Sequence, residues 1–276
     1  MTTPKPVEAI RLSVVIPAYN ESLRILPYLT HIARYLGRRG DSHEIIVVDD
    51  GSTDGTAAAV KQLQTSQPAI RLLQLPRNMG KGAAVRTGMC EARGELRLFA
   101  DADGATPIEE LERLEAAIKA GADLAIGSRP LAAQDSRFTV KARVHRSVLG
   151  SLFNRVVRSL GLHGITDTQC GFKLIRMAIA QDLFSVMHVD GYGFDLELLY
   201  LAQRRGYLVA EVPVNWADQP GSKVRVFRDG VRMLQELLAI RRNHANGLYT
   251  PLPNTTALAH AVVTADLKAT IPSAGS

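Results

Sequence analysis

Val47-Val48-Asp49-Asp50-Gly51-Ser52-Thr53-Asp54-Gly55-Thr56 joins an apolar run, Ile45–Val48, to a polar stretch that opens a helical pattern. The run is strand-sized, and a strand ending in carboxylates ahead of a helix is a ligand-facing junction. One of these aspartates can accept a hydrogen bond from a nucleobase or ribose hydroxyl, with Ser52 or Thr53 expected to cap the helix. The plainer account is a well-capped helix after a strand, and Asp54-Gly55 fits it.

Outward from this junction the pattern repeats. Strand candidates are Leu12–Pro17, Glu44–Asp49, Ile70–Leu75, Leu96–Ala100 and Leu124–Gly127. Helical stretches fall near Ser22–Leu36, Thr53–Gln64, Gly82–Ala92 and Ile108–Ala120. This alternation implies an α/β fold, a mostly parallel sheet with helices on both faces. Ligands in such sheets bind beyond the carboxyl ends of the strands. The polar clusters Tyr19–Glu21, Asp49–Asp54 and Asp101–Thr106 each fall at such an end.

Asp101-Ala102-Asp103 follows the fourth strand candidate directly. Two carboxylates two residues apart can hold a hard divalent cation that takes its remaining ligands from phosphate. Taken alone the triplet reads better as a solvated turn with Asp103 as a cap; the neighbouring clusters are what favour the metal. Pro17-Ala18-Tyr19-Asn20-Glu21 offers an aromatic ring beside a base, or a proline turn with Asn20 as N-cap. Arg77-Asn78-Met79-Gly80-Lys81-Gly82 sets glycine-rich backbone and a lysine at a helix start, an arrangement suited to phosphate. Neither GxGxxG nor GxxxxGK[ST] occurs, which argues against dinucleotide-binding and P-loop enzymes.

The chain has 276 residues, 46% hydrophobic and 22% charged, with net charge +6. That suits one large domain, and a basic balance alone leaves nucleic acid, anionic lipid and phosphorylated substrates open. Cys90 and Cys170 form no CxxC pair, which disfavours structural zinc or a disulfide framework and points to a reducing compartment. Residues 1–11 carry no apolar core of a signal peptide, and the apolar runs are far shorter than a membrane span. No acidic residue lies between Asp135 and Asp167, a gap that holds Arg137, Lys141, Arg143, Arg146, Arg155 and Arg158. Val140, Val144, Val148, Leu152 and Val156 form a helical stripe there, and a second basic helix is expected over Val226–Arg242. Both suit peripheral attachment to a membrane surface; the simpler alternative packs the stripe on the sheet. A single Trp and 5% aromatics supply no stacking stripe for nucleic acid.

Four groups in this order, Pro17–Glu21, Asp49–Thr56, Asn78–Arg86 and Asp101–Pro107, resemble the nucleotide-binding half of family-2 glycosyltransferases with the GT-A fold. Asp167-Thr168-Gln169-Cys170-Gly171-Phe172-Lys173, Gly193–Glu197, Val212–Trp216 and Gly221-Ser222-Lys223 resemble polyprenyl-phosphate sugar synthases, in particular the dolichyl-phosphate glucosyltransferase branch. The resemblance runs from about Leu12 to Arg242. It implies a transferase domain over 11–243 (nucleotide half 11–128, acceptor half 129–243), leaving an extension over 1–10 and a tail over 244–276. A Thr-, Ala- and Pro-rich composition without periodicity from Thr250 marks that tail as disordered.

By position, the resemblance implies that Pro17, Tyr19, Glu21 and Asp50 hold the nucleoside. Asp101, Ala102 and Asp103 would handle ribose and a Mg2+ or Mn2+ ion. Arg129 and Arg143 sit where related synthases place phosphate-binding arginines, and Lys223 matches a further phosphate contact. Arg143 and Lys223 fall to the acceptor phosphate, while Arg129, Lys223 as a catalytic residue and Lys81, from its place at the helix start, would stabilise the departing diphosphate. Related mannosyl synthases carry Gln two residues past the second aspartate as a further metal ligand, where this chain has Ala105. Asp167 and Asp195 are candidates for base or positioning roles, each weighed against a plain ion pair; for Glu197 the structural role is preferred. The expected reaction is inverting transfer of glucose from UDP-glucose to a polyprenyl or dolichyl phosphate on the cytoplasmic face of a membrane. Alternatives are another donor such as GDP-mannose, a hydroxyl acceptor, or a silent nucleotide-sugar-binding module.

Overall fold

A computed structural model describes residues 9–141, 162, 164–219 and 226–250. A seven-stranded sheet runs in the order β3-β2-β1-β4-β7-β5-β8. Its strands are β1 (Leu12–Ala18), β2 (His43–Asp49), β3 (Ile70–Gln74), β4 (Leu96–Ala100), β5 (Leu124–Ser128), β7 (Phe172–Arg176) and β8 (Val209–Pro213). Neighbours pair in parallel, except that β7 runs antiparallel to both β4 and β5. A two-stranded ribbon pairs β6 (Val140–Lys141) with β9 (Trp216–Ala217).

Alternate residues of the central strands feed opposite cores. Val14 and Ile16 face Ile25, Leu29, Ile32 and Leu36 of α1 (Ile25–Arg39) and Leu111, Leu114 and Ile118 of α4 (Leu111–Lys119). Val15, Ile46 and Val48 face Ala84, Val85 and Met89 of α3 (Lys81–Glu91), with α6 (Met177–Phe184) and α7 (Phe194–Arg204) on the same side. Both faces are therefore covered, as parallel sheets require. The short helices α2 (Thr56–Gln64) and α5 (Arg129–Ala132) and the long α8 (Val226–Ala245) complete the set used below.

The expected helical starts shift by a few residues for visible reasons. Helix α1 begins at Ile25, because Glu21 O accepts from both Arg24 N and Ile25 N and turns the chain first. Helix α2 begins at Thr56, and Ser52 and Thr53 do not cap it. Ser52 Oγ accepts from Asn20 N, Thr53 N donates to Asn20 Oδ1, and Asp54 Oδ1 takes Thr56 N instead. Asn20 (φ 54°) thus ties β1 to the β2 junction and is not the N-cap of α1.

The stripe expected to be helical from Val140 begins as strand. Trp216 N donates to Thr139 O and Asp218 N to Lys141 O, drawing Val140 and Lys141 into the ribbon. The remainder of the stripe lies outside the described residues. The second basic helix is present as α8. The fold continues past the boundary drawn at 243: Tyr249 is buried, its hydroxyl donates to Glu197 Oε1, and Arg205 Nη2 donates to its carbonyl. Among the described residues no helix is long and apolar enough to cross a membrane.

Candidate active site

Strand order changes direction between β1 and β4, since β1 leads to β2 on one side and β4 lies on the other. The crevice beyond the carboxyl ends at such a switch point is where α/β sheets bind ligands. Pro17 lies buried in β1, with Tyr19 and Glu21 partly buried just past its end. Asp101, Ala102 and Asp103 leave β4 beside them, and Asp49-Asp50 leave β2.

Asp50 works on backbone. Its oxygens accept from Met79 N at 2.6 Å and Gly80 N at 2.9 Å, so it clamps the loop that delivers Lys81. Burial, with the charges of Asp49 and Asp190, outweighs those bonds and raises its pKa. Glu21 takes a bidentate grip from Arg24, Nε and Nη2 each at 2.7 Å. Two of the four residues expected at the nucleoside thus have protein partners: Asp50 fixes the loop before α3, and Glu21 fixes Arg24.

Lys81 opens α3 and reaches Asp101, Nζ to Oδ1 2.6 Å. Its ammonium lies 5.3 Å from the Phe99 ring centre and 5.9 Å from that of Phe194. Burial pulls its pKa down, but Asp101, Asp195 and Asp103 outweigh this and hold it above the ordinary lysine value. Asp103 is shifted upward by burial and by the charge of Asp101, while one oxygen accepts from Ala105 N at 3.0 Å. The turn rests on Tyr28, whose ring fills the space a side chain at Gly104 (φ 66°) would need.

Antiparallel β7 brings in what lay out of view in the sequence. Asp101 N donates to Gly171 O, and a Cβ at Gly171 would fall 2.0 Å from Asp101 Oδ2 and 2.2 Å from Cγ. Gly171→Ala must therefore push the Asp101 carboxylate aside. We expect kcat to fall about 10²-fold, the scale of losing one aligned electrostatic group, with a far smaller change in melting temperature; steady-state kinetics and thermal melts on the same preparation test this.

One layer behind, Lys173 is fully buried and bridges Asp195 Oδ1 at 2.5 Å and Cys170 O at 2.6 Å. Asp195, the first acidic residue of α7, keeps a raised pKa because burial outweighs Lys173 and Lys81. Buried Cys170 has its thiol pushed up to about 12 by burial and the Asp167 charge. Glu197 staples backbone, accepting from His188 N and Val189 N as well as Tyr249.

Arg129 and Asp167 form a second pair: Nε and Nη2 reach the carboxylate at 2.7 and 2.8 Å, and Arg129 N adds 3.1 Å. Glu211 of β8 fixes the Asp167 loop through Thr166 N and Asp167 N. The Arg129 guanidinium lies 5.3 Å from the Trp216 ring centre. Trp216 lines a small cleft together with Asp101, Tyr28, Thr106 and Gly171, which joins the arginine pair to the β4 carboxylates. Sequence reading did not single out Glu211, Gly171 or Lys173; only their motif context marked the last two.

Burial raises the Asp167 pKa, but Arg129 outweighs it by charge and hydrogen bonds, and the net shift is downward. A depressed carboxylate stabilises the fold fully above its unfolded value near ~4 and loses that contribution as pH falls through the folded value. Asp167→Asn should therefore cost about 2 kcal/mol at neutral pH and progressively less below about pH 4. Urea midpoints across pH read this directly.

Arg143 and Lys223, expected at the acceptor phosphate, lie outside the described residues. No group of three or more His, Cys, Asp or Glu able to hold a metal occurs among the described residues. The Asp101/Asp103 pair offers two carboxylates of a hard-oxygen set, which suits an ion completed by phosphate and water.

The profile of the family described as "Glycosyl transferase family 2" matches residues 13–184. The chain belongs to glycosyl transferase family 2. This transferase is 38% identical to the dolichyl-phosphate beta-glucosyltransferase of Dictyostelium discoideum over 88% of this chain and 78% of that protein. It is 44% identical to one from Trichomonas vaginalis (86% and 72% covered) and 38% identical to that of Saccharomyces cerevisiae (88% and 77%). Its fold matches glucosyl-3-phosphoglycerate synthase of Mycobacterium tuberculosis, solved with Mn2+ and UDP-glucose. That match has a TM-score of 0.64 at 20% identity and covers 83% of this chain and 78% of that one.

Proposed function

We propose that this transferase moves glucose from UDP-glucose to a dolichyl or related polyprenyl phosphate, with inversion at the anomeric carbon, while attached peripherally to the cytoplasmic face of a membrane. The observation that carries the reading is the convergence of Asp101, Asp103 and Lys81 at the β1/β4 switch point in a chain 38–44% identical to dolichyl-phosphate beta-glucosyltransferases.

Asp101 and Asp103 would hold Mg2+ or Mn2+, which supplies charge stabilisation to the departing diphosphate. Tyr19 and the loops organised by Asp50 and Glu21 receive the nucleoside. Lys81 and Arg129 add positive charge where the leaving group develops its own. A phosphomonoester acceptor has a second pKa near ~6 and is mostly dianionic at pH 7. Such a nucleophile needs little help from a base. Asp167 and Asp195, each closed in an ion pair, then act as positioning residues: Asp167 aims Arg129, and Asp195 neutralises Lys173 behind Lys81.

The test is incubation with radiolabelled UDP-glucose or GDP-mannose, a short-chain polyprenyl phosphate and Mg2+ or Mn2+, followed by organic extraction. Label should enter the organic phase from UDP-glucose and stay aqueous when EDTA is added. Label from GDP-mannose instead would change the donor, and an empty organic phase with every donor would remove the lipid acceptor. Flotation with anionic liposomes tests the membrane arm.

A further inference from the structure

We propose that Lys81 is an internal counter-ion that stands in for the metal at Asp101, so that the divalent cation enters together with the nucleotide diphosphate and not ahead of it. The inference rests on the assignment of Asp101 and Asp103 to a metal and concerns how that site is loaded.

The ammonium and the carboxylate are 2.6 Å apart, and the two side chains are only 23% and 32% exposed. A divalent ion using Asp101 Oδ1 must displace or share this contact. The backbone of Lys81 has little room to follow. Asp50 holds Met79 N and Gly80 N on one side, and Gly82 N donates to Asp190 O at 2.7 Å on the other. Gly80 adopts φ 108°, and a Cβ there would meet Asp190 O at 2.3 Å. What can move is the four-carbon stem, sliding its charge over Phe99 and Phe194.

Charge balance explains why the exchange needs a second anion. Asp101, Asp103 and Asp195 bring three negative charges; Lys81 and Lys173 bring two positive ones, leaving one net negative charge. A divalent ion arriving alone turns this to one net positive charge in a partly buried site, with Lys81 driven off its carboxylate. A diphosphate arriving with the metal restores a net negative balance and gives Lys81 a new anion to pair with. Removing the lysine charge should leave Asp101 and Asp103 as an uncompensated pair that takes up a metal unaided.

The experiment is Mn2+ binding to the full chain, by electron paramagnetic resonance of free Mn2+ and by calorimetry, with and without UDP. Wild type should bind Mn2+ alone at least about tenfold more weakly than in the presence of UDP, equivalent to ~1.4 kcal/mol. Lys81→Met should tighten binding of Mn2+ alone by about tenfold. Lys81→Arg, which keeps the charge, should retain the weak wild-type behaviour. Lys81→Gln serves in place of the methionine variant if that one does not fold. Equal affinity of wild type and the neutral variant for Mn2+ alone, while UDP still enhances binding in both, would overturn the inference and leave the metal assignment standing. No Mn2+ binding by any of the proteins even with UDP would overturn the metal assignment, and the inference with it.

Discussion

Asp103→Ala should lower kcat for sugar transfer by about 10³-fold, the upper end for removal of one aligned electrostatic group, with little change in melting temperature. Asp103 sits on a turn past β4, where its carboxylate accepts a local hydrogen bond from Ala105 N. Its loss costs the fold little. On the proposed metal role the functional cost is large, because Asp103 is one of only two carboxylates that the turn past β4 offers to a cation. Saturating UDP-glucose with a titration of Mg2+ separates the effects: a metal role predicts that the variant needs at least about tenfold more cation for half-maximal rate, whereas a purely structural role leaves the Mg2+ dependence unchanged. Asp103→Asn should behave similarly, since it keeps shape and loses charge. An Asp103→Ala enzyme within about tenfold of wild type would remove this residue from the metal site.

Lys173→Met should destabilise the protein by about 3–5 kcal/mol, the cost of stranding one member of a buried ion pair. Lys173 is 0% exposed in β7, between β4 and β5, and bridges Asp195 and the Cys170 carbonyl. Without the ammonium, Asp195 must be buried charged and unpaired or take up a proton. Lys173→Met combined with Asp195→Asn should recover much of the loss, because replacing both partners removes the stranded charge. Urea denaturation gives the comparison. A single variant within about 1 kcal/mol of wild type would place the pair among those that contribute nothing measurable.

Much of the first half of the chain was legible because its signals are local. Ile45–Val48 reads as a buried strand from four residues, and Asp49-Asp50 or Asp101–Asp103 read as strand-end clusters from position alone. The misreadings share one cause. Ser52 and Thr53 look like caps by composition, yet Asn20, more than thirty residues away, takes their hydrogen bonds. Val140 looks helical by periodicity, yet Trp216, more than seventy residues on, pulls it into a strand. A partner remote in sequence outbid the local preference each time.

The chain's order of apolar runs and polar ends was enough to determine a two-faced α/β sheet and which polar clusters lie at its strand ends, since burial periodicity and turn chemistry act within a few residues. Its motifs marked the family in the same way. Tertiary structure alone decided that β7 runs backward between β4 and β5, which sets Gly171 against Asp101 and buries Lys173 beside Asp195. It likewise decided that Lys81 pairs with Asp101 and Arg129 with Asp167. Pairing between charges depends on distance in space, and a carboxylate carries no mark in the sequence of which cation will reach it.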